Sequence, residues 1–163
     1  MHLFRSLAGG LAGAIALTIS HQLLRRYVND APRMDLLGKQ GLEKLIKASG
    51  RRLPSQATMY AGTLAGDIAG NALYYAMAGI KPKAGLLTGA ALGLAAGLGA
   101  VALPDKLGLD PVYSNKTNAT KLLTIGLYLT GGLVAGAMYT ITAKKTTCRT
   151  KALRSRLGNR NIL

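Results

Sequence analysis

Apolar positions gather into four long runs along this chain, and polar positions fill the segments between them. The runs are residues 6–24 (SLAGGLAGAIALTISHQLL), 57–79, 84–103 (AGLLTGAALGLAAGLGAVAL) and 122–143. Each approaches the roughly 20 residues that a helix needs to cross about 30 Å of hydrocarbon. Prolines fall where helices tolerate them: Pro54 ahead of the second run, Pro82 ahead of the third, Pro104 behind it. The pattern predicts an all-α polytopic membrane protein, one domain over 1–163 with four transmembrane helices. Only IKPKA parts the second run from the third, which predicts a tight antiparallel hairpin of those two helices. The short MHLFR lead, with no small-x-small site after the first run, predicts a retained helix rather than a signal peptide.

A different period appears between the first two runs. Over residues 35–49, Leu37, Leu42, Leu45 and Ile46 fall on one side, with Lys39, Gln40, Glu43 and Lys47 opposite. This is too short to span and predicts an amphipathic helix lying in the headgroup layer. A helix docked on a soluble partner would show the same pattern.

Composition sharpens this picture. One Phe, no Trp and 21 Gly leave a water-soluble core without its usual large side chains. The 21 Lys and Arg against 6 Asp and Glu give a net charge of +15. These bases shun the apolar runs and crowd the segments between and after them, as in a protein seated among anionic lipid headgroups. The tail, 144–163, has seven bases and no acid. Few aromatics accompany the bases, so no stacking platform for nucleic acid is expected. Bases are almost evenly divided between the two ends of the helices. Orientation is therefore left to a partner, or to insertion in both senses as in antiparallel homodimers. Cys148 is the one cysteine and forms no disulfide within the chain.

Glycines recur every fourth residue: Gly62, Gly66 and Gly70 in the second run, and Gly85, Gly89, Gly93 and Gly97 in the third. Gly9 and Gly13 in the first and Gly132 and Gly136 in the fourth repeat the step. A four-residue step keeps them on one helix face, and in lipid such faces let backbones approach closely. They predict a compact bundle, with some faces left for a homo-oligomer or a larger membrane complex.

One carboxylate interrupts the second run. Asp67 lies ten residues in from Ala57, about 15 Å deep. A charged Asp costs roughly 2.5–3.5 kcal/mol at that depth, so it is expected to face the bundle interior and be hydrogen-bonded. Tyr60, Thr63, Asn71 and Tyr74 fall near its face. Thr18, His21, Thr124, Tyr128 and Tyr139 on other helices sit at matching depths. Together they predict a broken polar line through the bundle, which serves either as an ion or substrate path or as hydrogen-bond glue between helices.

The chain has no P-loop, dinucleotide fingerprint, CxxC pair, HExxH or GxSxG. Two histidines, His2 and His21, cannot build a haem or metal site without help from another chain, and the sequence names no cofactor. The segments HQLLRRYVNDAPRMDLLG, AGDIAGNALYY and LGAVALPDKLGLDP, read together, resemble small four-helix bacterial inner-membrane proteins. That resemblance implies a multi-pass protein of a bacterial plasma membrane and carries over no activity or site. The functional expectation is a small homo-oligomeric channel or transporter centred on Asp67. The alternative is a non-catalytic subunit of a larger membrane complex.

Overall fold

The computed structural model describes residues 2–80 and 84–158, and for residues 2 and 144–158 it describes the backbone alone. Regular structure among the described residues is entirely helical: α1 (His2–Tyr27), α2 (Met34–Ala48), α3 (Gln56–Ala76), α4 (Gly85–Ala102), the single turn α5 (Val112–Asn115) and α6 (Asn118–Gly158). Short 3-10 turns follow α3 at Met77–Ile80 and α4 at Asp105–Leu107. The side chains of the basic tail, and Lys81, Pro82 and Lys83 of the connection after α3, lie outside the described residues.

Local chemistry sets the boundaries. Ser55 ends the extended stretch after Pro54, and its Oγ accepts from the Thr58 N–H, satisfying a free donor of the first turn of α3. After α2 the chain reverses at Gly50, whose φ of 70° is open to glycine at little cost.

Among the described residues, three segments are long and apolar enough to cross a membrane: Leu3–Tyr27, Gly85–Ala102 and Asn118–Ala143. The second predicted span, α3, has 21 residues but is not among them. Gln56, Asp67 and Asn71 dilute its hydropathy.

The long helices alternate in direction, with α1 between α3 and α6, and α6 between α1 and α4. Gly10 of α1 lies against the backbone of Ala72 and Ala76 near the end of α3. Across α1, Gly13 meets Gly131 and Gly9 meets Ala135 of α6. On the far side of α6, Gly89 faces Gly132, and a Cβ on Gly97 would sit 2.7 Å from Ile125 Cα.

The predicted α3–α4 hairpin is therefore corrected. The two helices are consecutive, but the glycine row of α4 is taken by the glycines of α6, and α3 docks on α1. What joins α3 to α4 is the Tyr74 hydroxyl, which donates to Leu92 O at 3.0 Å.

The bundle is built inside out relative to a soluble protein. Its seams hold Gly, Ala and two wholly buried tyrosines, Tyr75 and Tyr139. Leu17, Met59 and Leu127 join them in the seams, but many large aliphatics face outward: Leu7, Leu11, Ile15, Ile19 and Leu23 form one four-step stripe along α1, and Leu86, Leu87, Leu94 and Leu98 cover α4. An apolar exterior over a small-residue interior is what packing in lipid requires, since burial there drives nothing.

The amphipathic segment forms α2 at Met34–Ala48 and packs on its own chain. Leu37 is buried, Gly38 approaches Thr63, and Leu42 approaches Gly62. Lys44 donates to Leu107 O, Gln40 Oε1 accepts from the Asp110 N–H, and the Arg33 N–H reaches Tyr113 O at 2.7 Å. These bonds fix α2 across the end of the bundle. Leu45 remains 70% exposed, so only part of the apolar stripe is free to meet lipid.

Candidate functional site

Beneath α2, where α1 and α3 diverge, lies a cavity of about 210 Å³. Its mouth is formed by Gln22, Asp35, Lys39, Gln56 and Tyr60, and deeper positions hold Thr18, His21, Thr63 and Asp67. One helical fact positions the deep group. Thr18 and His21 share a face of α1, and Thr63 and Asp67 share the facing side of α3.

Asp67 is partly buried and held by the residue one turn on. Asn71 Nδ2 donates to Asp67 Oδ1 and to its backbone O, both at 2.9 Å. His21 is buried, and its Nε2 donates to Pro32 O at 2.9 Å. A carbonyl can only accept, so this bond puts the proton on Nε2 and leaves Nδ1 as an acceptor in the neutral ring. It also explains the APR segment: His21 satisfies a carbonyl where the chain turns from α1 into α2. His21 and Asp67 line the same cavity.

The threonines divide. Thr63, Thr124, Thr130, Thr140 and Thr142 each donate to the carbonyl four residues back, at 2.8 Å. That habit satisfies a hydroxyl without a partner helix. Thr18 Oγ1, buried beside the cavity, makes no hydrogen bond.

Charges at the mouth are compensated. Asp35 pairs with Arg25 at 3.1 Å and with Arg33 at 3.4 Å. Lys39 donates to Gln56 Oε1 at 2.7 Å and lies 3.9 Å from Glu43.

The predicted polar line is thus split. His21, Tyr60, Thr63 and Asp67 meet at the cavity, with Asn71 bonded beneath them. Tyr74 and Tyr128 instead line a second, apolar groove of about 430 Å³ between α3 and α4, walled by Ala95, Ala96, Gly99 and Ala100. Tyr75 donates to Tyr128 O at 2.8 Å, and Thr124 to Ser114 O at 2.9 Å. These groups bind helix to helix and do not continue a path. The glycine row Gly85, Gly89, Gly93 and Gly97 is buried against α6. In contrast, a Cβ on Gly66 or Gly70 would meet nothing, and one on Gly62 only Leu42. Among the described residues, that row packs against no transmembrane helix.

Gln22, Asp35, Lys39 and Gln56 were missed from the sequence because they converge only when α2 folds back over α3. The polar face of α2 was the available signal. Comparison with protein-family models, curated proteins and solved structures finds no match to this chain.

Proposed function

We propose that this chain is a small membrane channel or transporter whose path reaches Asp67 through the cavity under α2. The observation that carries the reading is the cavity itself: it brings Thr18, His21 and Thr63 together with the one acid of the apolar helices. In this reading α3 crosses the bilayer as a fourth span, with its polar side turned to the cavity and its flank covered by α1. An acid at that depth is expensive, and a water-filled or ligand-filled cavity is the setting in which it persists. Beyond Asp67 the seams narrow to backbone contacts at Gly13–Gly131 and Gly10–Ala72. The path therefore opens from the α2 side and needs a movement of helices to complete it. The host membrane in this proposal is a bacterial plasma membrane, whose anionic headgroups meet the basic loops, and the working form is a homo-oligomer.

The test is ion flux in proteoliposomes, wild type beside Asp67→Asn, with native mass spectrometry of both. Flux lower by tenfold or more in the variant, with the oligomer intact, supports the reading. Equal flux from the two forms overturns it.

A second reading, an accessory subunit of a larger complex, is favoured by the open glycine row of α3. Mild solubilisation separates the two. A subunit emerges with other chains bound and loses them when Gly66 is enlarged.

A further inference from the structure

The deep part of the cavity has a one-sided hydrogen-bond inventory. Thr63 commits its hydroxyl proton to Met59 O at 2.8 Å, so it offers lone pairs. His21 commits its Nε2 proton to Pro32 O, leaving Nδ1 as the acceptor. Asp67 already accepts from Asn71 at one oxygen and, ionised, has only acceptors. Thr18 Oγ1 is buried and unpartnered, with its proton and its lone pairs both uncommitted, and lies outside this inventory. Asp35 pairs with Arg25 and Arg33 and Lys39 with Glu43 at the mouth, so among the described residues Asp67 is the acid of this cavity with no basic partner.

Acceptors from Thr63 and His21 beside the Asp67 carboxylate call for a positive donor. We propose that the cargo is a small protonated amine, ammonium or a monoalkylammonium, whose N–H groups are taken up by His21, Thr63 and Asp67. This rests on the transport reading above. An anion meets the wrong set of groups there. A hard metal cation asks for six or more oxygens, and among the described residues no three His, Cys, Asp or Glu gather to hold a metal. A volume of about 210 Å³ takes a small amine with some of its water and excludes bulky ones.

The experiment is calorimetric titration of the full chain in detergent with methylammonium, and separately with tetramethylammonium and potassium. Tetramethylammonium has the same charge and no N–H. Saturable methylammonium binding, at least tenfold tighter than either control and weakened tenfold or more by Thr63→Val and Asp67→Asn, is the expected result. Thr63→Val keeps the shape of the side chain, so it covers the case in which Asp67→Asn does not fold. Equal binding of methylammonium and tetramethylammonium, no binding of methylammonium, or binding indifferent to both variants each overturns the assignment.

Labelled methylammonium flux then separates the two claims. Selective binding with no flux of any ion sinks the transport reading and leaves the amine site. Flux of potassium or protons without amine binding sinks the amine and leaves transport.

Discussion

The glycine rows of α3 and α4 have the same spacing and opposite surroundings. On α4, Gly85, Gly89, Gly93 and Gly97 are buried, and a side chain on any of them would strike the backbone or side chains of α6. On α3, Gly66 and Gly70 face open space. The spacing makes a helix face flat, and the neighbour decides whether the flatness is used. The two rows also differ in what lies behind them. The reverse side of α4 is leucine, fit for lipid, whereas the face of α3 next to its glycine row carries Thr63 and Asp67, which line a cavity.

Substitution separates the rows most sharply at their centres. Gly89→Leu forces a branched side chain into the backbone of Gly132. Overpacking costs about 1–3 kcal/mol where neighbours can shift, and more is expected here because the obstacle is main chain. The variant should fail to yield monodisperse protein, or melt many degrees lower in detergent by circular dichroism.

A smaller effect is expected where a seam is held by a hydroxyl. Tyr75→Phe keeps the ring, which is 0% exposed, and removes the bond to Tyr128 O. The loss should be about 1 kcal/mol, in the range of interhelical hydrogen bonds in lipid, read as a modest fall in unfolding free energy with the helix content unchanged.

The smallest effect belongs to the open row. A Cβ on Gly66 meets no atom of the described residues within 4 Å, so Gly66→Leu should lower the chain's intrinsic stability by no more than about 0.5 kcal/mol. Any assembly that uses this face should dissociate, which analytical ultracentrifugation in detergent would register. A large loss of intrinsic stability would mean that α3 packs differently from the arrangement described.

Much of this contrast was open to sequence reasoning and some was not. Four-step glycines and long apolar runs are local features, so the helices and their flat faces could be read directly. The Asp67–Asn71 bond was legible for the same reason, one turn of one helix. Pairing between faces is not local: Gly10 and Gly13 present two sides of α1 at once, which seats α1 between α3 and α6 and prevents the expected hairpin. The polar line failed on a different ground. Matching position along neighbouring helices does not join threonines, because each can satisfy itself on its own helix, as Thr63, Thr124 and Thr140 do. Thr18 departs from that habit, and nothing in ALTISH announces it.

The inside-out build also sets which changes the chain can absorb. In a soluble domain, the interior is written in large side chains, and trimming them by a methylene is often survivable. Here the innermost contacts are made by main chain, as at Gly89 and Gly132, and glycine has no smaller substitute. The outer leucines, by contrast, touch fluid lipid and can be exchanged among themselves. Constraint therefore falls heavily on the least chemically distinctive residues of the molecule, while its outward-facing leucines are free to drift.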